Sequence, residues 1–385
     1  MSTNPRIYLD FNATAPLGPA ARGAITAALG GLGNPSSIHA DGRAARDLIE
    51  RARNQVAALV GRPREQVVFT SGGTEGNTLG VLALARVVEQ RGGARVIAVS
   101  PLEHPCVLGA VRALVARGWT HRVLAVSPAG APLPAAAADA LRGVGVVSVS
   151  AVNHELGAVA DLAALTAAAR EAGALVHVDA VQAAGKLPLS AIDADAVVLS
   201  SHKLGGPQGV GALALALDQG LPVVDGGHQE RGRRPGTENT LGIVGMGAAA
   251  AALDLPAWAA VAALGAALEA GLLALPGARI HGADGPRIGG TINAAFEGAL
   301  GESIVVALDL AGVSVSTGAA CTSGSVQPSA VLLALGLPPA RAREAVRFSL
   351  GRTTTRAEIE AVLALMPPIV ARARGRISNR PPRLP

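Results

Sequence analysis

The sequence predicts an α/β protein: a large domain on a mostly parallel sheet and a smaller α+β domain. Three observations point there. From Val67 to Ala216, short β-branched runs alternate with Ala- and Leu-rich stretches, the pattern of repeated strand–helix–strand units. Beyond about Pro256 the pattern changes to a long Ala-rich helix, a strand near Gly289 to Phe296, a helix near Ser303 to Ala311 and a glycine-serine loop. A chain of 385 residues, half of them apolar, can also bury more than one core.

Taken in order, Ile7-Tyr8-Leu9 reads as a short strand, and the segment up to about Thr14 is expected to pack on the smaller domain or between the two. Six runs follow as strand candidates of the large sheet: VVFT, RVIAVS, RVLAVS, VGVVSVS, ALVHVD and AVVLS. The domain assignment is residues 15–255 for the large domain, and 1–14 with 256–385 for the small one. In such sheets ligands collect beyond the carboxyl ends of the strands, and several polar or glycine-rich motifs fall there.

Composition narrows the class. The first residues carry no apolar core of a signal peptide, and the Ala-rich stretch Ala257 to Leu275 is broken by Glu269 and bounded by prolines. Neither export nor a membrane span is expected, and the cytoplasm is the expected location. Cys106 and Cys321 are the only cysteines, too few for a disulfide framework and without metal-ligand spacing. Net charge is +5, yet all but two of the 33 Lys and Arg residues are arginine and they form no stripe, so nucleic-acid binding is not expected. The cluster Arg372, Arg374, Arg376, Arg380 and Arg383 reads as a solvated C-terminal tail.

A covalent amine cofactor needs a lysine, and only Lys186 and Lys203 are available. Lys186, in GKLPLS, reads as part of a plain turn. Lys203 follows AVVLS within SSHKLGGPQGVGAL, where hydroxyls, an imidazole and glycines surround one amine. Asp179 closes the strand ALVHVD; a carboxylate there needs a partner, and a protonated pyridine nitrogen supplies one. Gln182 can bond the phenolic oxygen of the same ring. TSGGTEGN, Thr70 to Asn77, turns from VVFT into a helix and directs backbone N–H groups at an anion, a weak signal alone and a stronger one in this company. His104, in LEHPCV after RVIAVS, can lie against the ring and exchange protons with a substrate. Cys321 stands in VSTGAACTSGS among small and hydroxylic residues, the setting of an accessible nucleophile, whereas Cys106 reads as packing.

Over nearly its whole length the chain resembles the group I cysteine desulfurases of the fold-type I pyridoxal 5′-phosphate (PLP) enzymes. The motifs run in order as YLDFNATAP, GNPSSIHADGRAAR, FTSGGTEGN, EHP, NHELG, HVDAVQAAGK, SSHKLGGPQGVGAL, GGHQERGRRPGTENT, STGAACTSGS and VRFSLGRTTT. The resemblance implies a seven-stranded sheet and PLP as cofactor, held covalently by Lys203. It also implies Asp179 at the pyridine nitrogen, Gln182 at the ring hydroxyl and His104 on the ring face. Gly73, Thr74, Ser200 and His202 are implied at the phosphate, Asn153 beside cofactor and substrate, and Arg347 at the substrate carboxylate. The counterpart of Thr237 reaches the phosphate of the other subunit, which implies a homodimer.

The implied reaction takes sulfur from L-cysteine as a persulfide on Cys321, leaves alanine, and passes the sulfur to an acceptor protein such as an iron–sulfur scaffold. No metal is expected beyond a transient iron–sulfur contact through Cys321. The setting of CTSGS is similar to the subgroup with an extended loop. His154, His228 and Cys106 stand where the family usually has other residues. Two other readings stay open: a selenocysteine lyase, and a non-catalytic scaffold for sulfur assembly.

Overall fold

The computed structural model describes residues 6–31, 33–133, 140–216, 224–318 and 327–378. Strand β1 (Ile7–Tyr8) and helices α1 (Pro19–Ala28) and α2 (Ala40–Val60) lead into an alternation of β2 (Val67–Thr70), α3 (Gly73–Gln90), β3 (Val96–Val99), α4 (Pro105–Val115), β4 (Thr120–Val123), β5 (Val146–Ser150), α5 (Leu162–Glu171), β6 (Leu175–Asp179), β7 (Ala196–Ser200) and β8 (Gly211–Leu215). Then come α6 (Thr240–Ala251), α7 (Trp258–Leu273), β9 (Ala278–His281), β10 (Thr291–Phe296), α8 (Gly301–Leu310), β11 (Val313–Ser314), α9 (Ala330–Ala334), α10 (Pro339–Ala342), β12 (Ala345–Ser349) and α11 (Arg356–Ser378).

Seven strands form one sheet in the order β2-β8-β7-β6-β5-β3-β4, and only β8 runs against its neighbours. Successive residues of the central strands serve opposite faces. Val146 and Val198 join the cluster under α3 and α4, while Val147, Val197 and Leu199 join the cluster that includes α2 and α6. Burial on both faces is why these strands read as continuous apolar runs. Each fully buried Val or Leu contributes about 1.5–3 kcal/mol.

Two details depart from the sequence pattern. Strand β8, Gly-Ala-Leu-Ala-Leu, has no β-branched residue; it is a strand because hydrogen-bonded partners flank it on both sides. The strand expected over RVLAVS sits earlier, at Thr120–Val123, because pairing with β3 ends there, and Val126 instead bridges Pro132.

A second, antiparallel sheet of order β12-β10-β9 packs with α7, α8 and α11 in a smaller α+β part. β1 pairs in parallel with β11, and Asp10 bridges Ser349 beside β12. The chain then crosses to the large sheet, where the Ala15 amide donates to His202 O at 2.8 Å. Of the expected solvated tail, Arg372 and Arg374 lie in α11, whereas Arg380 and Arg383 lie outside the described residues. Arg374 is fastened by Nε to Glu297 O at 2.9 Å and by Nη2 to Pro276 O, because carbonyls at turns of this half face that side of the helix. No described helix is long and apolar enough to cross a membrane.

Candidate active site

A cleft of about 450 Å³ opens at the carboxyl edge of the large sheet, lined by Thr14, Ser71 to Glu75, Ser200 and His202 among others. Its floor is the N-terminus of the 18-residue helix α3, which presents free amides and the positive end of a helix dipole. Two glycines make this geometry. A Cβ on Gly76 would lie 2.7 Å from Val198 Cγ1, so α3 could not sit this close to β7; one on Gly73 would meet Val181 Cγ2 at 3.0 Å and Ser200 Cβ at 3.4 Å. His202 Nδ1 lies 3.2 Å from Thr14 Oγ1, and burial beside Lys203 pushes its pKa down to about 4. Glu75, whose Oε2 accepts from the Ser71 amide at 2.5 Å, is neutralised by Arg234 at 2.8 Å.

Behind the cleft, Asp179 ends β6 with its carboxylate buried. Its two hydrogen bonds come from neutral donors, Asn77 Nδ2 at 2.7 Å and the Val181 amide at 2.9 Å. Burial raises its pKa, opposed by those bonds and by the nearby His104 and Lys203. His104 caps α4: its Nδ1 accepts from the Cys106 amide at 3.2 Å and lies 2.9 Å from Cys106 Sγ. An imidazole nitrogen that accepts there leaves the ring proton on Nε2 in the neutral form. Cys106 is therefore more than packing, with Asn77 Nδ2 also 3.4 Å from its sulfur; burial pushes the thiol up to about 11, so it stays protonated. His154 meets the His104 ring edge-on at 5.4 Å, and burial lowers its pKa to about 3.

Lys203, just beyond β7, donates to Asn12 O at 2.5 Å and Ala13 O at 2.7 Å. Burial, and then the Arg347 charge, depress its pKa to about 8. Arg347 on β12 binds Asp10 Oδ1 at 2.8 Å and His154 O at 3.1 Å, while its buried Nε has no partner among the described residues. Gln182 Nε2 donates to Asn12 O at 2.9 Å. Asn153 spends its side chain on local backbone: Nδ2 donates to Leu102 O at 3.1 Å, and Oδ1 accepts from the Glu155 and Leu156 amides. Thr237 is exposed on the loop before α6 and does not line the cleft.

Cys321 lies outside the described residues, but both flanks of its segment are fixed nearby. Ser316 exchanges two backbone hydrogen bonds with Arg347. A Cβ on Gly318 would come within 2.6 Å of Glu155 Oε2, and Ser329 Oγ donates to the same oxygen.

Residues 7–362 match the family model for class-V aminotransferases. A cysteine desulfurase from Enterobacter agglomerans is 42% identical over 377 residues, covering 96% of this chain and 93% of the relative. Among solved structures, a NifS-like protein superposes with a TM-score of 0.86 at 29% identity, over 97% of this chain and 99% of the other. SspA, solved in complex with cysteine, gives 0.79 at 28% identity, over 91% and 100%.

The chain belongs to the cysteine desulfurases of the class-V aminotransferase family. Its members are fold-type I PLP enzymes, and the cysteine desulfurase site fits that cofactor: an amide cradle that a Cβ at Gly73 would crowd, a buried carboxylate hydrogen-bonded to neutral donors among the described residues, and a lysine amine of depressed basicity at one sheet edge. Three parts of this desulfurase site escaped sequence reasoning. Asn12, inside YLDFNATAP, receives Lys203 and Gln182 on its carbonyl; Asn77, inside TSGGTEGN, holds Asp179. Lys186 does lie in a turn, its amide bonded to Ala183 O at 2.9 Å, but its amine is directed inward onto Asn12 Oδ1 at 3.2 Å and Gln182 Oε1 at 3.1 Å.

Proposed function

We propose that this chain takes sulfur from L-cysteine, leaving L-alanine and a persulfide on Cys321 that passes to an acceptor protein. The observation that carries the reading is that Lys203, just beyond β7, and the buried Asp179, at the end of the neighbouring β6, stand at one edge of the large sheet, where the cleft floored by α3 opens.

Gly73, Thr74, Ser200 and His202 would hold the PLP phosphate, Asp179 the ring nitrogen, Gln182 the ring oxygen and His104 the ring face, with Asn153 near by. PLP, when bound, supplies an electron-withdrawing ring that lets an amino acid release its Cα proton. Lys203 Nζ would receive that proton, a task suited to an amine whose pKa is near 8. Arg347 would bind the substrate carboxylate through its free N–H groups, the charge match that orients an amino acid. The Cys321 thiolate would attack the substrate sulfur. The S–S bond forms as the Cβ–S bond breaks, the electron pair stays with the three-carbon fragment, and reprotonation gives alanine.

In this reading residues 15–255 form the cofactor domain, and residues 1–14 with 256–385 carry the Cys321 segment. Thr237 reaches the phosphate of a second subunit, so the working form is a homodimer, in the cytoplasm, with an iron–sulfur scaffold as one acceptor. The test is protein reconstituted with PLP, given cysteine, and assayed for alanine and for persulfide at Cys321. Lys203→Ala is expected to abolish the cofactor's visible band. Cys321→Ser is expected to keep the band and form no persulfide; wild-type alanine production by that variant refutes the nucleophile.

A further inference from the structure

The chain uses arginine for all but two of its 33 Lys and Arg residues, and those two lysines converge on one asparagine. Lys203 takes the main-chain oxygen of Asn12, and Lys186 takes its side-chain oxygen. Lys186 also bonds Gln182 Oε1 and stands 5.3 Å from the centroid of the Trp258 ring. The remaining polar groups of buried Asn12 are all used. Nδ2 donates to His154 O at 3.2 Å and Thr291 Oγ1 at 2.9 Å, and the amide donates to Ser349 Oγ at 3.0 Å. Asn12 thus ties the Lys203 loop to β10 and to the end of β12.

We propose that Lys186 is a positioning residue of the active site, whose amine holds the Gln182 and Asn12 side-chain amides in one orientation and so sets where the Lys203 amine stands. The two ends of an amide have nearly the same shape, so an unheld glutamine can turn over. With Lys186 on Oε1, turning over would aim an NH₂ at an amine, and Nε2 is kept on Asn12 O. That same oxygen receives Lys203, so a change at Gln182 reaches the reactive amine through one shared acceptor. The choice of lysine has a physical reason. Lys203 and Arg347 are the cations that press on Lys186, with Asp10 and Asp179 the acids acting on Lys203. Burial and this repulsion push Lys186 down to about 7. A lysine amine that loses its proton still donates two hydrogen bonds, whereas a guanidinium keeps its charge and its wider planar fork.

The inference rests on Lys203 being the cofactor lysine, and the experiment separates the two ideas. With only two lysines, competitive acetylation of cofactor-free protein followed by peptide mass spectrometry reads each amine separately. Lys186→Met, which removes the donor, is expected to change the acetylation rate of Lys203 and to weaken PLP binding about tenfold, the scale of one lost hydrogen bond. It should also shift the pH titration of the visible band. Lys186→Arg is expected not to restore these values. In a Gln182→Leu background, itself readable if Lys186→Met does not fold, Lys186→Arg should add less than about threefold in affinity, as coupled residues do. Unchanged Lys203 reactivity and band titration in Lys186→Met overturn the proposal, as does full rescue by arginine or full additivity with Gln182→Leu. Failure of the cofactor reading looks different: Lys203→Ala would then keep the visible band.

Discussion

Glu230→Ala is expected to destabilise the protein by about 3 kcal/mol, the lower end of the cost of breaking a buried ion pair. The Glu230 side chain is fully buried and that of Arg53 is 2% exposed. They meet twice, at 2.6 and 2.8 Å, and Glu230 Oε2 also accepts the Phe69 amide at 2.8 Å. The variant strands that amide and leaves the guanidinium with Glu50 at 3.2 Å and Val67 O at 2.8 Å, which places the loss at the lower end. Glu230 and Arg231 also sit at φ of 48° and 59°, left-handed values that cost non-glycine residues about 1–3 kcal/mol each and persist only when surroundings enforce them. The ion pair is that enforcement, so hydrogen exchange across Arg231–Gly236 should quicken. Urea unfolding measures the stability. A loss under about 1 kcal/mol refutes the reasoning, as does a double variant, Arg53→Met with Glu230→Leu, that is less stable than Glu230→Ala alone.

Other consequences follow from the site. Glu155→Ala removes the carboxylate that Gly318 lies against and Ser329 bonds, on either side of the Cys321 segment, and persulfide formation should fall about tenfold while the cofactor's visible band is unchanged; loss of the band instead counts against the anchoring role. Burial raises the Glu103 pKa to about 8 although Ser150 donates two hydrogen bonds to it. Its folded pKa lies above its unfolded value, so its stabilisation is complete below about pH 4.5 and is lost as pH rises through about 8. Between pH 6 and 9 the urea midpoint of Glu103→Gln should therefore fall less than that of the native chain. Recombination of cofactor-free protein with PLP needs the neutral Lys203 amine, and its rate should level off above about pH 8; a plateau near pH 10 contradicts the depressed basicity.

Much of the fold was legible because both faces of the large sheet are buried. That burial wrote Val-rich runs into β2, β3, β5, β6 and β7, and chemistry-bearing motifs stand at several of their carboxyl ends. Strand β8 was hidden because its Gly-Ala-Leu-Ala-Leu run takes its conformation from β2 and β7 rather than from its own preferences. Lys203 and Asp179 could be singled out since Asp179 is a carboxylate closing a strand and Lys203 follows the next strand among hydroxyls and an imidazole. Lys186 sits in an equally ordinary run, GKLPLS, and nothing local distinguishes an amine turned inward from one turned out.

By itself, then, the sequence determined the layered architecture, the sheet edge where the chemistry gathers, and the residue types able to perform it. Tertiary structure alone decided the partners. Asn12 meets Lys186 across 174 positions and Lys203 across 191, and Glu230 meets Arg53 across 177. Periodicity reports which face of an element is buried, but a hydrogen bond depends on sub-ångström distance and direction between groups. Those are set only when separate elements pack against one another.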